Sequence, residues 1–252
     1  MRDLPNLSST YIMHRFFVLP EQIGEEQVLL RGEQAWQICR VLRLGAGDEI
    51  VILDNLGWAY GVRLTAVSPQ QVRGDILEKR EAAGEPACRI TLYQSLMKRD
   101  KFEWVLQKGT EVGVSRFVPL VTQRTLARNV GIKPQKMARW QKIITEAAEQ
   151  ARRGRIPELL PPLRWAEALA GLEADVALIP WEGAREPGLR QALAGKRPSS
   201  VALFIGPEGG FAPEEVAAAV TRNIQPVTLG PRILRAETAA IVAAALILHE
   251  VT

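Results

Sequence analysis

The chain has 252 residues, of which 47% are hydrophobic and 24% charged, and its formal net charge is +4. This length allows one large domain or two modest ones, and the composition excludes disordered and collagen-like chains. The longest apolar run, 239–248, is too short to span a bilayer, and the amino terminus has no signal-peptide core. Two cysteines cannot build a disulfide framework in a chain of this length. We therefore expect a cytoplasmic globular protein without a membrane span.

Positive charge is concentrated in the middle of the chain. Residues 98–155 carry 14 basic and 5 acidic side chains, whereas residues 1–84 carry 9 and 11. A basic segment of this kind is an electrostatic footprint for phosphate groups, or else a solvated helix surface. Charge alone leaves both interpretations open.

The first eighty residues predict short strands separated by turns. Apolar and polar residues alternate in the predicted strands, which is typical of a half-buried sheet. A helix is predicted at 33–42, before the stop at Gly45. The predicted strands are 14–19, 48–54, 58–68 and 71–79. This pattern favours a small β barrel.

The remainder of the chain follows a different pattern, in which apolar strands alternate with helices. A polar segment with a proline at 81–86 predicts a linker, and we place the domain boundary between residues 82 and 83. The predicted strands are 89–96, 116–121, 175–179, 201–205 and 225–229, and the predicted helices are 101–113, 134–151, 213–221 and 236–251. Short apolar strands between longer helices indicate an α/β domain with a mostly parallel sheet covered on both faces.

Ligands of open parallel sheets bind at the carboxyl ends of the strands, so the loops there are the candidate sites. Gly206, Gly209 and Gly210 follow one predicted strand, and they allow the backbone to approach a ligand closely. A tight turn before a helix that begins at Pro213 would also explain them. The sequence has neither a P-loop nor a dinucleotide fingerprint, which disfavours nucleoside triphosphates and NAD. The two histidines lack the spacing of metal ligands, so we expect no metal site.

Two motifs carry a resemblance to a known family. GPEGGF at 206–211, followed by LGPRILRAETA at 229–239, resembles the paired cofactor motifs of the SPOUT class of S-adenosylmethionine-dependent RNA methyltransferases. Within that class the chain is similar to the family that methylates N3 of a uridine in bacterial 16S ribosomal RNA. HRFF at 14–17, KGTEVGV at 108–114 and the segment 149–157 match that family in order and spacing. The chain departs from the usual pattern at Arg152, where a small residue is common.

The resemblance implies a fold, a cofactor and a set of partners. It implies a PUA-like β barrel at the amino end, a knotted methyltransferase domain after it, and a homodimer that completes the site. The partners would be 16S ribosomal RNA within the small subunit and a second copy of the chain, with no membrane and no metal. The residues expected to bind S-adenosylmethionine are Leu178, Ile179, Pro180, Gly206, Pro207, Glu208, Gly209, Gly210, Leu229, Gly230, Ile233, Leu234 and Ala239. Trp181 is expected to pack on the adenine or on the partner subunit.

Transfer of a methyl group to uridine N3 requires that the imide lose its proton. Arg232 or Arg153 could stabilise the negative charge that develops on the uracil oxygens, and we prefer this mechanism. Alternatively a carboxylate base, with Glu237, Glu208 and Glu111 as candidates, could accept the proton, although glutamates near helix starts also act as caps. The residues expected to contact RNA phosphates are Arg15, Lys98, Arg99, Lys101, Arg124, Arg153 and Arg155.

The leading hypothesis is therefore an enzyme, an S-adenosylmethionine-dependent ribosomal RNA (uridine-N3) methyltransferase. One alternative is a SPOUT enzyme that modifies another ribosomal or transfer RNA nucleotide. The other alternative is a non-catalytic RNA-binding protein of ribosome assembly. The bare-backbone glycine loops argue against the second alternative, because a protein that only binds RNA needs no such pocket.

Overall fold

The computed structural model describes residues 13–125 and 131–251, with the backbone alone at Arg99, and the chain divides into two compact units. The first unit comprises the chain up to Gly84 together with Arg152–Arg155. The second unit comprises Glu85–Ala151 and the chain from Ile156 onward. Each unit has its own hydrophobic core.

The first unit is built on a five-stranded mixed sheet. Its strands are β1 (Arg15–Phe17), β2 (Gln27–Arg31), β3 (Glu49–Leu53), β4 (Trp58–Val67) and β5 (Gln71–Glu81), in the order β1-β3-β4-β5-β2. β1 and β3 are parallel and the other pairs are antiparallel. Alternate residues of these strands, including Phe16, Ile50, Ile52 and Val62, pack into one core.

The elements predicted for this unit are confirmed, with two differences. Strand β2 was missed, although Val28 and Leu30 alternate with more exposed residues and pair antiparallel with β5. The predicted helix at 33–42 consists of α1 (Glu33–Trp36) and a π-helical turn at Gln37–Val41. These short elements lie below the length at which periodicity identifies a helix with certainty.

The segment Arg152–Arg155 returns to the first unit from a distant part of the chain. A Cβ atom on Gly154 would lie 2.6 Å from the Cβ of Ala82, so the close approach requires glycine. The Arg155 guanidinium donates a hydrogen bond to the carbonyl of Leu56 at 3.0 Å. Gly154 and Ala82 are about seventy positions apart in sequence and Arg155 and Leu56 are 99 apart, and no local pattern indicated either contact.

The second unit is an α/β fold around a parallel sheet. Its elements are β6 (Arg89–Ser95), α2 (Arg99–Val112), β7 (Arg116–Val121), α3 (Pro134–Gln150), β8 (Glu158–Leu159), β9 (Leu163–Arg164), α4 (Trp165–Ala170), β10 (Val176–Pro180), α5 (Leu189–Leu193), β11 (Ser200–Ile205), α6 (Pro213–Val220), β12 (Gln225–Val227) and α7 (Ala236–Val251). The order is β12-β10-β11-β6-β7-β8, β9 also pairs with β7, and every pairing is parallel. The predicted α/β class is confirmed, and only the short elements β8, β9, α4 and α5 were not predicted.

Hydrophobic clusters cover both faces of this sheet. Leu178, Leu92 and Leu203 belong to one cluster, while their chain neighbours Ile179 and Phe204 belong to the other. Successive residues of a strand point to opposite faces, so both faces are buried. Among the described residues, no helix combines the length and the apolar character that crossing a membrane requires.

Candidate active site

A cavity of about 1030 Å³ opens in the second unit where β10 and β11 end. The loops that follow β10, β11 and β12 line it, and these three strands are neighbours in the sheet. Loops distant in sequence therefore meet at one edge, as the parallel topology requires. The predicted site residues that line the cavity are Pro180, Gly206, Pro207, Glu208, Gly209, Gly210, Leu229, Gly230, Arg232, Ile233, Leu234 and Ala239.

Two residues predicted to bind the cofactor do not line the cavity. Leu178 and Ile179 are fully buried, and their side chains pack into the clusters on opposite faces of the sheet. They lie within strand β10, whereas the cavity is formed by residues at and beyond the strand end. The structure assigns their side chains to the core.

The glycine loop after β11 has the bare backbone that the sequence predicted. The Gly210 N–H donates to the carbonyl of Pro207 at 2.9 Å, which closes a turn. Gly210 has a φ of 68°, and a Cβ atom there would lie 2.7 Å from a carboxylate oxygen of Glu182. A side chain at this position would be strained by the positive φ, and the carboxylate end of Glu182 would have to move aside, so glycine is favoured here.

Two residues from the β7 and α6 regions support this loop. Arg124 donates to the carbonyl of Gly209 at 2.9 Å. The buried Glu215 accepts hydrogen bonds from the N–H groups of Gln123 at 2.8 Å and Ala212 at 2.9 Å. Arg124, predicted to contact RNA, thus bonds the backbone of the cavity wall.

Lys101 also lies in the cavity wall. Its ammonium is 3.7 Å from a carboxylate oxygen of Glu208 and 3.4 Å from one of Glu237. It therefore links the glycine loop to the first turn of α7. Local sequence predicted Lys101 only as an RNA contact, because nothing in its neighbourhood indicates two carboxylate partners far along the chain.

Glu237, a candidate base, is not among the residues that line the cavity. One of its carboxylate oxygens pairs with Lys101, and the other is buried without a hydrogen-bond partner in the described structure. It lies in the first turn of α7. Glu111, another candidate, pairs with Lys108 at 2.8 Å.

Of the two arginines predicted to stabilise charge, only Arg232 lines the cavity, where it is exposed. Arg153 is 2% exposed and belongs to the first unit. The glycine beside it packs against Ala82 and Ala83, which follow β5. Arg153 is not among the residues that line the cavity.

The other basic residues predicted to contact RNA are dispersed. Arg15 lies on β1 and is half-buried, and Lys98 is exposed just before α2. Burial, together with the charges of Arg80 and Arg152, lowers the pKa of the Arg15 guanidinium. Arg155 is held by the Leu56 carbonyl. These residues lie outside the cavity lining.

Sequence reasoning missed several residues of the cavity. Glu182 and Arg185 follow β10, and Arg235 precedes α7. Trp181, singled out for the adenine or a partner subunit, does line the cavity. The rule that ligands bind at strand ends would have identified Glu182, Arg185 and Arg235, because each lies in a loop that follows a strand.

Comparison with protein families identifies RNA methyltransferase domains in the chain. A family model for an RNA methyltransferase domain matches residues 84–248, and one for an RNA methyltransferase PUA domain matches residues 30–77. The cavity lies in the unit that the first model covers.

Individual relatives narrow this class. A ribosomal RNA small subunit methyltransferase E from Synechocystis is 38% identical, over 94% of this chain and 78% of its own length. The Bacillus subtilis protein of that name is 30% identical over 94% of this chain and 97% of its own length. The crystal structure of the Neisseria gonorrhoeae protein of that name, bound to S-adenosyl methionine, superimposes with a TM-score of 0.84 at 32% identity, covering 94% of this chain and 97% of that one. The chain belongs to the ribosomal RNA small subunit methyltransferase E family.

Proposed function

We propose that the protein transfers a methyl group from S-adenosylmethionine to N3 of a uridine in the 16S RNA of the small ribosomal subunit. The single observation that carries this proposal is the cavity, which gathers the glycine loop, the 229–239 segment and Arg232 at adjoining strand ends. Relatives that match nearly the whole chain are named as methyltransferases of the small ribosomal subunit RNA. The nature of the target base rests on the family resemblance.

The residues of the cavity fit the cofactor. Glycines leave backbone N–H and C=O groups of one wall without side chains beside them. Gly206 also packs closely, because a Cβ atom on it would come within 3.1 Å of the Phe211 ring. Leu229, Ile233 and Leu234 provide the apolar surface that an adenine requires. A volume of about 1030 Å³ lies at the upper end for small-molecule sites, which is sufficient for a cofactor of this size.

The chain's own residues supply charge stabilisation and orientation. S-adenosylmethionine, when bound, supplies a methyl group activated by a sulfonium. Arg232 is positioned in the cavity wall to stabilise negative charge on the uracil oxygens as the N3 proton is lost. Lys101 pairs with Glu208 and with Glu237, and so links the glycine loop to the first turn of α7. Glu237 remains the candidate base in this proposal.

Transfer of labelled methyl groups tests the proposed function. The protein is expected to label 16S RNA in small subunits isolated from cells without the modification, and mass spectrometry is expected to locate the methyl group on uridine N3. Label on a ribose hydroxyl or on another base would indicate a different SPOUT activity. Calorimetry that detects no cofactor binding, together with absence of transfer, would instead favour an assembly factor.

The first unit supplies RNA binding in this proposal. Residues 1–82 would form the PUA-like domain and 83–252 the methyltransferase domain, with the knot that the resemblance implies. Arg15 of the first unit and Lys98 of the second are the proposed phosphate contacts, since Lys101, Arg124, Arg153 and Arg155 are held elsewhere. Because the substrate is assembled in the cytoplasm, we propose that the protein acts there.

We also propose that the protein is a homodimer in which α7 contributes to the interface. Val242 and Leu246 on α7 are 36% and 41% exposed, and Ile233 beside the cavity is 88% exposed. Apolar side chains exposed close to a functional site are typical of an interface, and a second copy of the chain is the commonest partner.

Replacing Leu246 by glutamate is expected to convert the dimer to monomers, because a charge would be buried at the interface. Light scattering coupled to size-exclusion chromatography measures the mass. Val220→Glu is the matched control, since Val220 is an equally apolar residue, 51% exposed, on α6. A monomeric unaltered protein, or a dimer unaffected by Leu246→Glu, would contradict this interface.

A further inference from the structure

Three guanidinium groups in the cavity wall have no partner in the part of the chain that the structure describes. Arg185, Arg232 and Arg235 all line the cavity and are exposed. Within residues 13–125 and 131–251, no hydrogen bond or ion pair joins any of these guanidiniums to another residue. Three exposed guanidiniums that line one cavity create a positive potential there, and a positive potential in a cleft attracts anions.

The charge balance of the cavity identifies the sign of the missing ligand. Its lining has four basic side chains, the three arginines and Lys101, against two acidic ones, Glu182 and Glu208. Lys101 is already engaged by Glu208 and by Glu237 outside the lining. S-adenosylmethionine carries a net positive charge, because its sulfonium and ammonium outweigh its single carboxylate. The cofactor therefore cannot neutralise the cavity, and a second, anionic ligand can.

The loops that carry these arginines are fixed side by side. The Trp181 N–H donates to the carbonyl of Val227 at 3.1 Å, and the Thr228 N–H donates to the carbonyl of Pro187 at 3.0 Å. The loop of Arg185 is thus hydrogen-bonded at both ends to the segment that leads to Arg232 and Arg235. These two hydrogen bonds hold the loops next to each other, so that arginines from both loops line the same cavity.

We propose that Arg185 and Arg235 form a phosphate clamp that binds the RNA backbone beside the target nucleotide, while Arg232 faces the base. This inference rests on the proposed function and extends it, because it assigns the binding of the substrate backbone at the cavity to two residues. Guanidiniums suit this role, because each presents several N–H donors in a fixed fork that matches phosphate oxygens.

The experiment measures the salt dependence of binding to unmodified small ribosomal subunits. The double variant Arg185→Ala/Arg235→Ala is expected to lower the slope of log Kobs against log salt concentration by about 1 per arginine, because each phosphate contact releases counterions. Its affinity for S-adenosylmethionine, measured by calorimetry, is expected to stay within about twofold of the unaltered protein, since the clamp contacts RNA.

Two further variants control the measurement. Arg222→Ala removes an exposed arginine of the same unit that lies outside the cavity lining, and it is expected to leave the slope unchanged. Arg185→Lys/Arg235→Lys keeps both charges and is expected to keep most of the slope. Circular dichroism checks that all variants are folded.

The proposal is overturned if the double alanine variant keeps the slope of the unaltered protein. It is equally overturned if that variant loses cofactor affinity with an unchanged slope, since the arginines would then hold the carboxylate of the cofactor. A slope that falls as far in the lysine variant as in the alanine variant would also overturn it. Methyl transfer by the unaltered protein tests the proposed function separately, so either can fail alone.

Discussion

Replacing Arg232 by alanine is expected to slow methyl transfer by about 100- to 1000-fold, the loss typical when one group that stabilises an oxyanion is removed. Cofactor affinity is expected to change little, because Arg232 is assigned to charge that develops on the uracil and not to the cofactor. Single-turnover rates with saturating small subunits measure the first effect, and calorimetry with S-adenosylmethionine measures the second.

The two measurements together decide the role of Arg232. Arg232→Lys retains the charge and is expected to recover part of the rate, whereas Arg222→Ala, outside the cavity, is expected to transfer at the normal rate. An equal loss of rate and of cofactor affinity in Arg232→Ala would indicate that Arg232 binds the cofactor and not the uracil. An unchanged rate would leave Glu237 as the group on which proton removal depends.

Replacing Gly210 by valine is expected to weaken S-adenosylmethionine binding by at least about tenfold, the effect of roughly 1.4 kcal/mol. Gly210 has a φ of 68°, at which a β-branched residue is strongly disfavoured. The new side chain would also meet the carboxylate of Glu182, 2.7 Å from its Cβ, and would occupy the cavity. Calorimetry measures the affinity, and thermal unfolding monitors the fold.

Gly195→Val is the matched control for this substitution. Gly195 has a φ of 71°, nearly the same as Gly210, but no atom lies within 4 Å of its Cβ position, and it does not line the cavity. The control therefore imposes the same backbone strain without obstructing the site. Equal cofactor affinity in both variants would contradict the assignment of Gly210 to the cofactor wall.

Much of the site could be predicted from sequence because its backbone elements are local. The glycine loop and the segment that begins at Leu229 each follow a short apolar strand, and a parallel sheet places the ends of neighbouring strands together. Leu178 and Ile179 were also predicted to bind the cofactor, but they do not line the cavity. Their position within β10, rather than beyond its end, sends their side chains into the two cores.

The roles of the basic residues could not be predicted in the same way. A local sequence shows that a side chain is charged, but not which partner it meets. Lys101 pairs with carboxylates more than one hundred residues away, and Arg124 bonds a carbonyl of the glycine loop. The basic segment at 98–155 is thus partly engaged in holding the protein together, whereas the unpaired guanidiniums of Arg185 and Arg235 lie outside it.

The α/β class of the larger unit, the mainly β character of the smaller one and the family motifs could be predicted from the amino-acid sequence, because periodicity and glycine spacing are local properties. Which charged side chains find a partner depends on the folded chain. Folding buries Arg153, returns Arg152–Arg155 to the first unit and leaves three arginines at the cavity without a partner among the described residues. Burial and ion pairing depend on contacts between distant parts of the chain, and these form only when the chain folds.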